Sequence, residues 1–178
     1  PSSVDIATRK AEFQYQGQKS NGVPIRTKLF GYTNRINKIL SHFPNLTNSF
    51  FSNRYTSNII KRINGVAQNR SLPLLSTKSL YKEFQRIENK LSKDEIIKEV
   101  YLFNDEFTNL LDTSIGLDAV YLLTRLNYKV NIIDHEESGR AMISKGLLDE
   151  AKEVCNANIS IFKSLITEQR PLLGIEPS

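Results

Sequence analysis

The side chains with the greatest chemical capacity lie together in one short segment, from His135 to Arg140. An imidazole beside carboxylates can move protons or bind a metal ion, and the segment has the sequence His-Glu-Glu-Ser-Gly-Arg. A transition-metal site recruits several spaced ligands, however, and the other histidine, His42, is distant in sequence. We therefore predict no metal site here. The simpler interpretation is an exposed polar loop in which Arg140 pairs with Glu137 or Glu176.

Other patterns that would indicate catalysis are missing from the sequence. Gly116, Gly139 and Gly146 lack the spacing of a dinucleotide fingerprint or a phosphate-binding loop. Ser138-Gly139 lacks the preceding glycine of the esterase nucleophile motif. The one cysteine, Cys155, lies in a helical pattern, where a lone cysteine is predicted to pack rather than react. No catalytic residue is therefore predicted in this chain.

The elements that must position the loop alternate between strands and helices in the second half of the chain. Predicted strands cover residues 100–103, 129–133 and 172–175, and predicted helices cover residues 114–126 and 144–167. This order predicts an α/β fold with a three-stranded parallel sheet and right-handed crossover helices. Functional groups gather at the carboxyl ends of such strands. We therefore expect residues 104–106, 134–140 and 176–178 to converge.

The first half is predicted to be helical. Apolar spacing predicts helices over residues 4–14, with Ser3 as N-cap, over 24–44, over 45–63 with an end at Asn64-Gly65, and from a cap at Ser76 or Thr77 to Leu91. Residues 17–22 are predicted to form a loop and residues 66–75 an extended connection. The apolar stripes of these helices are predicted to be core. A polar linker at 92–95 separates the predicted domains, residues 1–95 and 96–178.

Charge divides at about the same place. Residues 1–98 contain 17 basic and 6 acidic side chains, whereas residues 99–178 contain 7 and 13. No acidic residue lies between Glu12 and Glu83, where basic and aromatic side chains alternate. Such a surface can bind nucleic acid, or it can dock on an acidic neighbour or on anionic lipid. Docking is the favoured interpretation because the sequence has no recognised nucleic-acid motif.

A family resemblance rests on phrases near both ends of the chain. Ser138-Gly139-Arg140, then 146–151 (Gly-Leu-Leu-Asp-Glu-Ala) and 174–178 (Gly-Ile-Glu-Pro-Ser), resemble half of the cysteine-rich electron-transfer domain of the CCG type. That domain occurs in iron–sulfur subunits of glycolate oxidases and is fused to FAD-linked oxidases of the D-lactate dehydrogenase type. Residues 1–6 resemble the segment after the last cluster cysteine of a bacterial ferredoxin domain.

The resemblance implies that the chain is a fragment of a longer FAD-linked, iron–sulfur oxidoreductase of 2-hydroxy acids. FAD and 4Fe-4S clusters are implied for the parent protein, and its FAD and ferredoxin-like domains are the implied partners. The family's Cys-Cys pair is replaced by residues 135–138, and cluster binding needs thiolates, so no cofactor is predicted within this fragment. The candidate functional loop then comprises His135, Glu137, Ser138, Gly139, Arg140, Glu176 and Ser178.

The function predicted from these observations is a non-catalytic scaffold or docking surface for electron-transfer domains. No apolar run approaches the roughly 20 residues that a bilayer span requires. The expected location is the cytoplasm, with peripheral contact at the inner face of the membrane left open. The alternative is a stand-alone basic helical module that binds nucleic acid or an acidic protein.

Overall fold

The computed structural model of the chain describes residues 5–91 and 95–175. The predicted cap at Ser3 and the candidate residues Glu176 and Ser178 therefore lie outside the described residues. The described ranges form a helical first part and then an α/β part. No helix within them is long and apolar enough to cross a lipid bilayer.

The first helix, α1 (Ile6–Asn21), begins and ends later than the sequence predicts. Asp5 is its N-cap, because Asp5 Oδ1 accepts a hydrogen bond from the backbone N–H of Thr8 at 3.0 Å. The loop predicted over residues 17–22 is wrong, since the helix continues through Gly17, and one glycine inside a helix is tolerated. The helix ends at Gly22, whose φ of +80° is readily adopted by glycine.

Four further helices are α2 (Ile25–Gly31), α3 (Thr33–Leu40), α4 (Pro44–Ser52) and α5 (Arg54–Asn64). The single helices predicted over 24–44 and 45–63 are therefore wrong. Tyr32 separates α2 from α3, and Asn53 separates α4 from α5 because its side chain accepts hydrogen bonds from two backbone N–H groups of α5. The predicted helix end at Gly65 is confirmed, with φ at +63°.

The connection after α5 has neither helix nor strand from residue 66 to residue 79, as predicted for residues 66–75. Asn48 of α4 holds this connection in place. Its Nδ2 donates to the carbonyl oxygen of Leu75, and its Oδ1 accepts from the N–H of Leu75, both at 2.8 Å. A side-chain amide thus supplies the backbone partners that a segment without regular structure lacks.

Helix α6 (Leu80–Ile87) starts later than predicted and continues into a short 3-10 helix (Glu88–Lys90). Its N-cap is Ser79, whose Oγ accepts from the backbone N–H of Lys82 at 3.4 Å. The predicted caps at Ser76 and Thr77 are wrong. The Oγ of Ser76 instead donates to the carbonyl oxygen of Leu111 at 2.8 Å, which ties the connection to the α/β part.

The α/β part contains a three-stranded parallel sheet, as predicted. Its strands are β1 (Lys98–Leu102), β2 (Tyr128–Asn131) and β3 (Leu172–Leu173). Their order is β2-β1-β3, so the first strand is central. Val100 is paired with Val130, and Tyr101 with Leu172. The predicted α/β fold class with a helical first part is therefore confirmed.

The helices between the strands are α7 (Glu106–Leu110), α8 (Thr113–Arg125), α9 (Arg140–Ser144) and α10 (Leu148–Phe162). The helix predicted over 114–126 is confirmed, whereas α7 was not predicted. The continuous helix predicted over 144–167 is wrong. Gly146, with φ at +70°, separates α9 from α10, and α10 ends at Phe162. Glycine adopts this left-handed conformation without the steric cost that other residues meet.

Two buried clusters join the first part of the chain to the second. The larger cluster comprises Leu80, Phe84, Val100, Leu102, Val120, Val130 and Ile132, so α6 packs on the sheet. The smaller cluster comprises Met142, Leu147, Ala151 and Val154, with Val23 and Tyr32 packed against it. The domain boundary predicted near residue 95 stays a prediction.

Many apolar side chains of the helical part are exposed rather than buried. Ile39 and Phe43 are each 70% exposed, and Tyr55 is 80% exposed. The prediction that these stripes form core is therefore wrong for α3 to α5. Helical periodicity indicates which residues share a face, but it does not indicate what covers that face.

Candidate functional site

The carboxyl ends of β1 and β2 lie side by side because the two strands are parallel neighbours in register. The chain segments that follow them meet, as predicted for residues 104–106 and 134–140. The backbone N–H of Asn104 donates to His135 Nε2 at 3.1 Å, and Ser138 Oγ donates to Glu106 Oε1 at 2.9 Å. The third predicted segment, residues 176–178, lies outside the described ranges.

Glu106 is the anchor of the loop after β2. It is the first residue of α7, whose N-cap is Asp105, and only 6% of its surface is exposed. Besides the bond from Ser138 Oγ, its Oε2 accepts the backbone N–H of Ser138 at 2.9 Å. A buried carboxylate at the start of a helix thereby fixes the conformation of the segment that carries the candidate residues.

Arg140 lies against the same carboxylates. Its guanidinium is 3.6 Å from Asp105 Oδ1 and 3.8 Å from Glu106 Oε1, and it lies 4.3 Å from the centre of the Phe107 ring. Of its two predicted partners, Glu137 instead lies 3.9 Å from Arg35, and Glu176 lies outside the described residues. Gly139, at φ +78°, is the N-cap of α9 and turns the chain so that Arg140 begins that helix.

His135 is held as a neutral imidazole. Its ring stacks on Phe103 with centroids 4.3 Å apart and lies 5.3 Å from the centroid of Phe162. Nε2 accepts a backbone N–H, so Nδ1 carries the proton and donates to the carbonyl oxygen of Glu136 at 2.6 Å. Burial lowers the pKa of His135 below its usual 6.5, against the raising effect of that carbonyl group.

Glu137 is a buried carboxyl group with an incomplete set of partners. Its side chain is 3% exposed, and among the described residues its Oε2 has no hydrogen-bond partner. Burial is the main cause that raises the pKa of Glu137 above 4.5, and the nearby carboxylate of Glu106 adds to it. A hydrogen bond from Asn34 and the charges of Arg35 and Lys38 act in the opposite direction.

These groups border a pocket of about 110 Å³ between the sheet edge, α3 and α6. Two buried oxygens at this pocket, Asn104 Oδ1 and Glu137 Oε2, have no hydrogen-bond partner within residues 5–91 and 95–175. The pocket is large enough for water molecules, which could donate to both atoms. The arrangement can hold a proton on a carboxyl group and bind a small hydrogen-bond donor.

The side chains at this edge do not fit an iron–sulfur cluster. They offer carboxylates and an amide, and both nitrogens of the one imidazole are already hydrogen-bonded. Among the residues that the structure describes, no group of three His, Cys, Asp or Glu could hold a metal ion. Cys155 on α10 is exposed, so the prediction that it packs in the interior is wrong.

Three residues that contribute to the site, from two helices, were not predicted from the sequence. Asn158 of α10 accepts the backbone N–H of Glu136 and donates to the carbonyl oxygen of Glu137, each at 2.9 Å. Asn34 and Arg35 come from α3 in the helical part. For Arg35 the sequence signal was the basic character of the first half, which gave no indication of which residue reaches the loop.

Comparisons with known proteins identify similar chains. The chain is 19% identical over 188 residues to the D-2-hydroxyglutarate dehydrogenase of Escherichia coli (strain K12), and equally so to that of Pantoea ananatis (strain AJ13355). This chain resembles dehydrogenases over its whole length. Each alignment covers 100% of this chain but 18% of the relative, so the chain spans less than a fifth of the relatives' length. No protein-family model matches the chain. No solved structure matches it significantly.

Proposed function

We propose that this chain is a non-catalytic part of a longer FAD-linked, iron–sulfur oxidoreductase that oxidises a 2-hydroxy acid. The observation that carries the proposal is the alignment of the whole chain within relatives named as dehydrogenases of such an acid. FAD and the clusters belong to other domains of that polypeptide. The carboxylates and the fully hydrogen-bonded imidazole at the sheet edge support this division of labour, because they could not ligate iron as thiolates do.

The role proposed for this chain is to dock the electron-transfer domains. A groove of about 550 Å³ runs between α3, α4 and α5, and apolar side chains line most of it. Its exposed members include Ile39, Phe43 and Leu46, which is 59% exposed. An exposed apolar patch of this kind marks an interaction surface. The segment that surrounds the groove has no acidic residue from 13 to 82. The surface of the partner that fits the groove is therefore apolar with acidic borders.

The groove favours a protein partner over nucleic acid. A nucleic-acid surface combines cations for the phosphates with aromatic rings for the bases. Here aliphatic and aromatic side chains line the concave surface, and the exposed cations Arg35, Lys38 and Arg62 lie outside its lining. Apolar contacts of this type bury protein side chains, as when a helix binds in a hydrophobic groove.

The docking role is tested with Phe43→Asp in the longer polypeptide that carries this chain. Phe43 is 70% exposed, so the variant is expected to fold, but a charge in the groove disfavours an apolar partner. We expect flavin reduction by substrate to be unchanged and electron transfer to an external acceptor to fall about tenfold or more, as for loss of a central interface residue. Stopped-flow absorbance separates the two steps.

Tyr55→Asp is the matched control, because Tyr55 is 80% exposed and does not line the groove. It should leave both steps at the wild-type rate. Equal rates in wild type, Phe43→Asp and Tyr55→Asp would contradict the docking role. If the purified protein instead bound DNA with strong salt dependence and carried no flavin, the basic-module alternative would replace the proposal.

A further inference from the structure

A second cleft lies on the helical part, away from the sheet edge. It has a volume of about 700 Å³ and lies between the end of α4, helix α5 and the connection at residues 68–74. Four side chains of α5 that line it, Arg54, Ser57, Asn58 and Lys61, are spaced at i, i+3, i+4 and i+7. This spacing places them along one face of the helix. The face is polar and basic, unlike the apolar groove.

Lys61 is the unusual member of this face. The residue is only 7% exposed, and within residues 5–91 and 95–175 its Nζ makes one hydrogen bond, to the carbonyl oxygen of Gln68 at 3.3 Å. An ammonium group has three donors, and a buried charge is costly unless it is paired. No acidic residue occurs from 13 to 82, and none of the described residues that line the cleft is acidic.

The chemistry of the cleft indicates what could balance this charge. Arg54 is an exposed second cation at the rim, and Asn58, Asn69 and Ser71 add uncharged hydrogen-bond donors to the lining. Lysine is a common partner of phosphate, to which it binds as a point charge. A phosphate group presents several oxygens to such a set of donors. The cleft is much larger than one phosphate, and Phe51 and Leu72 offer apolar surface for the rest of a molecule.

We propose that this cleft binds the phosphate group of a small phosphorylated molecule, with Lys61 and Arg54 as its cationic contacts. Among the described residues the cleft shares Phe51 with the docking groove but none of its polar or charged lining, and none of its lining residues borders the pocket at the sheet edge, so the site is distinct from both. A bound phosphate group would balance the charge of the buried lysine. It would also link α5 to the segment at residues 68–74.

The test is a titration of the isotopically labelled chain with inorganic phosphate, followed by NMR at constant ionic strength. We expect saturable shifts for amides around the cleft. Lys61→Met keeps the length of the side chain and removes the charge, and it should weaken binding by about tenfold or more, as for loss of a charged hydrogen bond. Arg62→Met removes the same charge from an exposed neighbour that does not line the cleft, and should change the affinity less than about twofold.

Two further measurements keep the result decisive. If Lys61→Met does not fold, Arg54→Gln replaces it, because Arg54 is exposed and its loss should still weaken binding. Glutarate, a dianion without phosphate, should not bind. Equal affinities of phosphate for wild type, Arg54→Gln and Lys61→Met would overturn the proposal, as would glutarate binding as tightly as phosphate. Binding of single-stranded DNA that needs Lys61, without saturable phosphate binding, would also overturn it.

Discussion

Burial favours the uncharged forms of two titratable side chains at the edge of the sheet. The pKa of His135 is lowered and that of Glu137 is raised, in each case mainly because burial disfavours the charged form. The two groups therefore have opposite effects on the pH dependence of stability, Glu137 as the pH rises above 4.5 and His135 as the pH falls below 6.5. Substituting each residue separately distinguishes them.

Glu137→Gln should stabilise the protein relative to wild type as the pH rises. The pKa of Glu137 is higher in the folded protein than its unfolded value of 4.5, so its contribution to stability is present below pH 4.5 and is lost as the pH rises through the folded pKa. Glutamine at this position does not titrate, so the variant does not lose this contribution as the pH rises. Urea unfolding from acid to neutral pH measures the difference in the free energy of unfolding.

The control for this series is Glu136→Gln, because Glu136 is adjacent in sequence but exposed. Because Glu136 is exposed, this variant should not reproduce the pH-dependent stabilisation expected for Glu137→Gln. A difference between Glu137→Gln and wild type that stays constant with pH would show that the buried carboxyl group does not titrate as its environment predicts.

His135→Gln should flatten the loss of stability on the acid side of neutrality. Because the folded pKa of His135 lies below 6.5, the unfolded chain takes up the proton first, and stability falls as the pH drops from 6.5 through the folded pKa. At higher pH the variant should be less stable by about 0.5–1.5 kcal/mol, because the ring stack with Phe103 is lost. If the difference in the free energy of unfolding between His135→Gln and wild type stayed constant from pH 8 to pH 5, that result would be inconsistent with a buried neutral imidazole.

At the scale of elements, the sequence pattern predicted the strands and helices whose apolar spacing is continuous. It did not predict the residues at which helices are interrupted. The apolar run Val100–Leu102 and the helix over 114–126 were recognisable because their patterns are continuous. The breaks at Tyr32 and Asn53 were missed, since the apolar spacing continues across them. The short helix α7 was missed because a capping aspartate, not apolar periodicity, defines its start.

Gly146→Ala should be strongly destabilising. Gly146 has a φ of +70°, and a Cβ there would lie 2.7 Å from Gln14 Cβ and 2.9 Å from the backbone nitrogen of Tyr15. Strain at φ and the close approach to α1 together predict a loss of about 2 kcal/mol or more in the free energy of unfolding. Chemical denaturation at neutral pH measures it.

Gly17→Ala provides the matched comparison, because Gly17 lies inside α1 with no atom within 4 Å of the added Cβ. That variant should be stabilised by roughly 0.5–1 kcal/mol through helix propensity. If both substitutions changed the free energy of unfolding equally, that result would contradict the close packing of α1 against the turn between α9 and α10.

At the scale of the whole molecule, the helical part and the α/β part are in direct contact. Tyr15 donates to Asp149 at 2.8 Å and Tyr32 to Glu150 at 3.0 Å, so the Leu-Leu-Asp-Glu phrase of the family resemblance is in contact with the first helices. Parallel topology was enough to predict that residues 104–106 and 134–140 meet. The contacts from Arg35 could not be predicted, because they depend on how distant elements pack.

The measurement that tests the central proposal most directly is the visible absorbance of the longer purified polypeptide that carries this chain, before and after a D-2-hydroxy acid is added without oxygen. The proposed function predicts a flavin spectrum that is bleached when a 2-hydroxy acid is added. It predicts no chromophore in the isolated 178-residue chain. A longer polypeptide without flavin, or a flavin that no 2-hydroxy acid reduces, would contradict the proposed function.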